Sequence, residues 1–438
     1  MKRTKKSRIE TAQPRVVAEG KTKVLFEDCD PLRVRIHSKD DITAGDGKRH
    51  DVLPGKGAIS NQTTCNVFSL LELAGLPVAF EVKSSPTDFL AERCQMLPLE
   101  VIIRRRAVGS KLERHPYIPK LYVFGRLDYQ LHLKTSGKQW KGQKLVADDP
   151  LIGFDESGPS GIACLFDPHK PIHGQTPFLK ILVSDFLYGR GPDVLDKIEE
   201  LARRAFLALE RAYCLQNFEL VDFKIEFGFT ARGQLVIADV IDAESVRLMR
   251  GGVHFDKQPY RDEGPNPRVM ERFAEVLQAT ESFSIPRQTI IVWAGSPKDD
   301  TKPLIEAVTE LSRGTVQVIT HVRSMHKESE LGLLELRRLI QSNPLSVILC
   351  DIGMSDGAGP SLSAHIGVPV ITVRKGYREF PDDVWSSLRT PSQVPVSTML
   401  APANAALHAL QILSMNNPRL YSILQYELEK RITNMVPA

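Results

Sequence analysis

Residues Glu219 to Leu248 run Glu-Leu-Val-Asp-Phe-Lys-Ile-Glu-Phe-Gly-Phe, turn at Ala231-Arg232-Gly233, and continue Gln-Leu-Val-Ile-Ala-Asp-Val-Ile-Asp-Ala-Glu-Ser-Val-Arg-Leu. Val221, Phe223, Ile225 and Phe227 alternate with Asp222, Lys224 and Glu226, the period-two pattern of a half-buried strand. Arg232-Gly233 supplies the turn of a hairpin. With an even loop centred between 232 and 233, Glu226 is expected opposite Asp239 and Lys224 opposite Ile241, while Ile225 and Phe227 meet Val240 and Ala238 on the core face. Two carboxylates directly across a ladder repel unless a cation sits between them. Magnesium, which takes one or two carboxylates plus phosphate oxygens, would resolve the conflict. An acidic hairpin is ordinarily a solvated face, but Leu235, Ile237 and Ile241 share this one, so it is read as a cleft.

The hairpin belongs to a chain of 438 residues, enough for two or three domains, with 42% hydrophobic and 25% charged residues as in ordinary globular proteins. A net charge of +4 does not argue for nucleic acid or membrane, and it is compatible with small anionic substrates. The six cysteines are scattered without Cys-x-x-Cys, which reads as reduced thiols in a cytoplasmic protein. The N-terminus Met-Lys-Arg-Thr-Lys-Lys-Ser-Arg lacks the apolar run of a secretory signal and is expected to be a disordered basic tail over 1–14. No stretch is apolar enough to span a bilayer.

Val16 to Phe26 reads as two short strands around Gly20, with Lys21 and Lys23 on one side, suited to phosphates. The Gly20-Lys21-Thr22 triplet is not a P-loop, because Arg15 stands where that motif needs glycine. Ser38 to Gly57 is a Lys-, Asp- and Gly-rich loop containing Asp46, and Ser60 or Asn61 is expected to cap the helix after it. Cys94 to Arg104 reads as one buried strand leading to Arg105-Arg106-Ala107-Val108-Gly109-Ser110, a setting that suits an anion. Residues 135–176 are expected to be loops over a cleft, followed by a helix at about 193–213 with Leu195, Ile198, Leu201, Ala205 and Leu209 facing the core. A second helix is expected at 267–279, with a domain boundary at 281–286. Beyond it, apolar runs at 288–294, 316–320, 345–350 and 368–373 alternate with helical stretches, which predicts a doubly wound parallel sheet. Polar residues gather at the strand ends: Gly295-Ser296, Ser324-Met325-His326-Lys327 and Gly353 to Pro360. Ligands bind at such ends, Gly-Ser opening a helix is a natural phosphate seat, and His326 is an acid–base candidate.

Glu19-Gly-Lys-Thr-Lys23, Ser38 to Asp46, Gly55-Lys-Gly57, Val221 to Gly228 and Ala238 to Leu248 resemble, in order, the motifs of SAICAR synthetase (phosphoribosylaminoimidazole-succinocarboxamide synthase). Gly295 to Asp299, Ser324 to Lys327, Gly353 to Pro360 and Asp383 to Arg389 resemble aminoimidazole ribotide (AIR) carboxylase, its partner in a bifunctional purine-biosynthesis family. The resemblance implies an α+β ATP-binding domain over 15–265, a linker helix and boundary over 266–287, and an α/β doubly wound, flavodoxin-like domain over 288–438. It implies ATP-dependent joining of L-aspartate to the carboxylate of CAIR through an acyl phosphate. Lys21 and Lys23 would then hold nucleotide phosphates, Met96 and its neighbours adenine, and Glu226 and Asp239 magnesium. Arg104, Ser110 and Arg247 would bind the CAIR phosphate, Asp46 and Asp222 would orient substrate or metal, and Asp222 and Lys224 would act in catalysis.

In the second half, which would turn AIR and CO2 into CAIR without metal, redox cofactor or ATP, Ser296, Asp299, Ser324, Lys327, Gly353, Ser355 and Gly357 would hold substrate, with His326 moving the proton. Here Lys298, Met325, Met354 and Asp356 replace Ser, Ala, Arg and Asn of the family pattern; near a phosphate pocket Met354 removes a cation and Asp356 would add an anion, while Lys298 would restore a positive charge. The family implies a homo-oligomer, with an octameric carboxylase core. Two alternatives stand beside this reading: a small-molecule kinase built on the same lysines, and an active ligase whose degenerate second half is only a scaffold.

Overall fold

The computed structural model describes residues 15–44, 48–154, 158 and 161–434. The long strand Glu219–Thr230 lies at the centre of the first half. Its beginning pairs with Leu99–Arg106 on one side and Val246–Arg250 on the other. Its end pairs with Leu235–Ala238 and Cys94–Met96. Pro98 separates Cys94–Met96 from Leu99–Arg106, so the single strand expected at 94–104 is two, lying against different parts of the same long strand.

The sheet continues from Leu99–Arg106 through Val123–Leu133, Leu151–Gly153, Ile162–Phe166 and Leu179–Leu182. The 135–176 segment is therefore not only loop, since two of its strands extend the sheet and Gln139–Trp140 pairs with Gln143–Lys144. Their shortness, two to five residues each, hid them. Helix Asp193–Cys214 covers one face, and the expected stripe holds: Leu195, Ile198, Ala205 and Leu209 are buried, and Leu201 packs partly buried against them. Phe206 meets Phe223 edge-on with ring centroids 5.3 Å apart.

A second antiparallel sheet, in the order Val16–Glu19, Lys23–Glu27, Arg33–Ser38, Asp88–Glu92, Phe80–Lys83, packs on helix Lys56–Leu73. That helix begins after Gly55, in the left-handed region at φ 84°, and neither Ser60 nor Asn61 caps it. Asn61 is buried mid-helix, where its amide donates to the carbonyls of Ser85 and Pro86. Helix Pro267–Glu281 packs against the same helix through Val269, Phe273 and Val276, within the first core.

The hairpin register differs from the expected one. Glu226 pairs with Ala238, Phe227 with Ile237 and Phe229 with Leu235. Thr230 and Gln234 bond next, leaving the three-residue loop Ala231–Gly233 with Gly233 at φ 78°. An odd loop shifts the register by one, and a shift by one exchanges the faces of the returning strand. Ile237, not Ala238, thus meets Phe227 in the core. The ladder also stops at Ala238, because Asp239 sits at φ 68° and the chain leaves the sheet until Val246.

In the second half, Thr289–Ala294, Gln317–Val322, Ser346–Ile352, Val370–Arg374 and Ser397–Met399 form a parallel sheet. The last strand, three residues long, was not legible in the sequence. Strand order is second, first, third, fourth, fifth, the flavodoxin-like arrangement whose switch point lies between first and third. Ile290, Val292, Leu349 and Ile371 pack on one face, and Ile291, Trp293, Ile348 and Cys350 on the other. Burial on both faces produces the continuous apolar runs.

Candidate active sites

Asp222, Lys224 and Glu226 point from one face of the Glu219–Thr230 strand, at the two-residue repeat; Lys224 and Glu226 line one cavity, and Asp222 lies farther along the same face.

Beside Glu226 an apolar cavity of about 460 Å³ opens, lined by Val17, Leu25, Phe80, Met96, Leu97 and Ala238, with Lys23, Lys134, Glu226 and Asp239 at its charged end. Gly228 keeps this wall thin: a Cβ there would lie 2.8 Å from Cβ of Cys94. The Met96 carbonyl accepts a hydrogen bond from the Tyr188 hydroxyl at 2.7 Å. Lys23 forms an ion pair with Asp239, and Lys134 one with Glu226 at 2.5 Å. Burial, with Lys134 and Lys224 nearby, outweighs the attraction of Glu226 and brings the Lys23 ammonium down to about 8.

The charged end continues into a smaller cavity lined by Lys21, Lys23, Lys224, Glu226, Asp239 and Glu244. Lys224 is paired to Glu100 at 2.6 Å. Burial lowers its pKa, but Glu100 more than offsets this, and the ammonium stands above the usual lysine value. Glu244 is held by Lys56 and Lys257. Glu226 and Asp239 thus line the same cavities without being ladder partners, Asp239 leaving the sheet at its left-handed turn.

Farther along the strand, cross-strand registers align Asp128 with Arg104, Arg104 with Asp222, and Asp222 with Arg247. This is a row of alternating charge over four strands, in which each opposite pair is attractive. Arg104 lies 3.3 Å from Asp222, and Arg247 also pairs with it. Ser110 Oγ accepts from Arg104 at 3.5 Å, and Lys111 pairs with Asp128 at 2.7 Å. Gly109, at φ 56°, admits the Arg247 guanidinium within 2.9 Å of where a Cβ would stand. Two guanidinium groups and a hydroxyl converging on one spot suit a phosphate monoester.

Lys21, Lys23, Lys224, Glu226 and Asp239 are therefore together, Met96 lies at the apolar end, and Arg104, Ser110, Asp222 and Arg247 form the neighbouring row. Asp46 lies outside the described residues. The sequence reading missed Lys134, which follows the Val123–Leu133 strand, and Asp128. Lys134 carried no local signal, and Asp128 is recognisable only through its register.

In the second half, the expected residues follow the carboxyl ends of three adjacent strands. Ser296 and Asp299 follow Thr289–Ala294, and the Asp299 carboxylate accepts from the Ser296 amide at 2.8 Å. The next helix starts only at Lys302, so Gly295-Ser296 does not open it as expected. Ser324, His326 and Lys327 follow Gln317–Val322, and Gly353, Ser355 and Gly357 follow Ser346–Ile352. His326 packs on Gly357, where a Cβ would lie 2.3 Å from the ring Nε2.

The altered charges fall differently from expectation. Asp356 is buried, accepting from the Gly359 amide and the Ser387 hydroxyl, both at 2.7 Å, so its carboxylate holds the start of the helix Ala358–Ser363. Met354 is exposed, and its carbonyl accepts from the buried Arg374. Lys375 pairs at 2.7 Å with Asp351, a carboxylate raised by burial and by Asp299 and Asp300. No described helix is long and apolar enough to cross a membrane.

The SAICAR synthetase family model matches residues 16–141 and 183–279, and the AIR carboxylase model matches residues 289–433. The chain is 32% identical over 427 residues to the bifunctional phosphoribosylaminoimidazole carboxylase/phosphoribosylaminoimidazole succinocarboxamide synthetase of Homo sapiens, covering 93% of this chain and 92% of the relative. It is 36% identical over 280 residues to a phosphoribosylaminoimidazole-succinocarboxamide synthase of Roseiflexus castenholzii, covering 61% of this chain and 96% of that one. Among solved structures, a SAICAR synthetase (Type-2) in complex with ADP matches with a TM-score of 0.50 and 25% identity, covering 62% of this chain and all of that one. Neither the kinase nor the scaffold alternative gains support from these likenesses.

Proposed function

The chain belongs to the family of bifunctional SAICAR synthetase/AIR carboxylase enzymes of purine biosynthesis, and from that premise we propose how its residues divide the work. The ligase unit spans 15–265 with helix Pro267–Glu281 packed into its core, and the carboxylase unit spans 288–438. ATP occupies the apolar cavity with adenine against Met96 and its phosphates toward Lys21, Lys23 and Lys134. Glu226 and Asp239 fit magnesium, since two carboxylates beside a phosphate-sized cavity lined with lysine are the donor set that ion accepts. Bound there, it would screen the phosphate charge during transfer.

CAIR lies along the strand, its phosphate on Arg104, Ser110 and Arg247 and its carboxylate toward Lys224, with Asp222 fixing both arginines. A carboxylate oxygen of CAIR takes the terminal phosphoryl group of ATP and ADP departs. The aspartate amine then attacks the acyl carbon, phosphate leaves, and the amine nitrogen loses a proton to give the amide. Lys224, kept charged by Glu100, stabilises the negative charge gathering at that carbon's oxygens.

In the carboxylase unit, the phosphate-bearing substrate lies across Ser296, Asp299, Ser324, Lys327, Gly353, Ser355 and Gly357. The ring carbon of AIR adds to CO2 and His326 accepts the proton that this carbon gives up. Assembly into a homo-oligomer through this unit, in the cytoplasm, completes the proposal.

One observation carries the ligase reading: a single strand bears Asp222, Lys224 and Glu226 in line, so phosphate seat, acyl centre and nucleotide end follow at about 7 Å intervals. The primary test is amide formation by the full chain from CAIR, aspartate and Mg-ATP. Arg247→Ala is expected to raise the Michaelis constant for CAIR on the order of a hundredfold while that for ATP holds, as loss of a charge-assisted phosphate contact implies. An unchanged constant for CAIR would count against the phosphate role of Arg247.

A further inference from the structure

The strand Val123–Leu133 carries a long irregularity. Val123 pairs with Arg106 and Asp128 with Arg104, so residues 124 to 127 stand against Arg105 alone. A bulge removes backbone groups from the ladder, and those that are buried need partners elsewhere. Arg105 donates to the carbonyls of Phe124 at 3.0 Å and Gly125 at 3.4 Å, and Arg203 to that of Leu127 at 2.5 Å. Three further groups are taken by residues from the other end of the chain. Asn434 accepts from the Arg126 amide at 2.9 Å and donates to the Arg126 carbonyl at 2.6 Å, imitating a strand neighbour. Glu429, buried at 3% exposure, accepts from the Leu127 amide at 3.0 Å with one oxygen and from Arg105 at 2.7 Å with the other. The Ile432 methyl closes over Gly125, 3.2 Å from where a Cβ would stand.

The length of the bulge decides which residue comes after it. Asp128 is that residue, and it opens the row of alternating charge by facing Arg104. A slip of one residue would turn Asp128 to the opposite face and leave Arg104 and Lys111 without it. Arg104 and Arg105 are consecutive on the neighbouring strand, so one side of that strand is anchored to Glu429 while the other presents the row.

We propose that Glu429 and Asn434, carried at the end of the carboxylase unit, are positioning residues of the ligase reaction: they fix the 124–127 bulge and with it the register of the row that receives the CAIR phosphate. The inference rests on the reading of that row given under Proposed function. It makes the second unit part of the first unit's substrate site.

The test uses full-length Glu429→Ala, Asn434→Ala and Asn434→Asp, each assayed for both reactions beside Arg247→Ala. The Michaelis constant for CAIR in the ligase reaction should rise on the order of tenfold in Asn434→Ala, while that for ATP and the rate of AIR carboxylation hold. Asn434→Asp keeps the acceptor for the Arg126 amide but loses the donor, so it should fall between wild type and Asn434→Ala. General loss of stability would not produce that grading. If Glu429→Ala does not fold, Asn434→Ala decides alone. An unchanged constant for CAIR in Asn434→Ala, or a parallel fall of both reactions, overturns the proposal. Should Arg247→Ala raise the constant while Asn434→Ala does not, only this inference falls; if neither does, the reading of the row fails first.

Discussion

Asp239→Asn is expected to reduce SAICAR formation by about 10³-fold while AIR carboxylation by the same chain continues at its original rate. The substitution removes one negative charge from a cleft that also holds Lys23, Lys134 and Lys224, and so takes away half of the proposed metal-binding pair. Asn is the right replacement because Asp239 sits at φ 68°, a left-handed conformation that Asn adopts readily and Ala does not. The backbone turn into the cleft should therefore survive, and the change isolates the charge. Initial rates at limiting and saturating magnesium provide the measurement. Wild-type rates in the variant at limiting magnesium would refute the metal assignment.

Gly357→Ala is expected to lower CAIR formation by about 10²-fold, with the ligase reaction untouched. The backbone at Gly357 has φ −87° and ψ −17°, an ordinary helical conformation in which alanine is unstrained. The added methyl would instead lie 2.3 Å from Nε2, 2.5 Å from Cε1 and 2.7 Å from Cδ2 of His326, so the ring must swing away. Gly367→Ala, with nothing within 4 Å of its Cβ position, is the control and should leave both rates alone. Full carboxylase activity in Gly357→Ala would mean that His326, in the position found here, is not the group that takes the proton.

These two sites were legible in the sequence to different depths. In the ligase half, alternation along 221–227 placed Asp222, Lys224 and Glu226 on one face, but the strand is buried along nearly all its length, and Val221, at a register irregularity, packs with Val108 and Met249 apart from Phe223, Ile225 and Phe227. The proposed link between Glu226 and Asp239 was reached through a ladder that does not exist, since the three-residue loop shifts the register and the two residues meet only because Asp239 leaves the sheet. In the carboxylase half, four continuous apolar runs announced the parallel sheet, but not the buried setting of Asp356. Its carboxylate is occupied by Gly359 and Ser387, the latter 31 residues away, and no local pattern signals such a contact.

By itself the sequence determined which residues carry charge on which face of a strand, that the second half forms a parallel sheet, and which motifs the chain shares with its family. These follow from short repeats: period two in a strand, 3.6 in a helix, and the apolar run of a strand covered on both sides. The tertiary structure alone decided the registers between strands, the row from Asp128 to Arg247, and the closing of a bulge at Arg126 and Leu127 by Asn434 and Glu429, 308 and 302 residues away. The reason is physical. Side-chain alternation is a property of neighbouring residues, whereas register depends on turn length and on which distant groups satisfy the backbone that a bulge leaves unpaired.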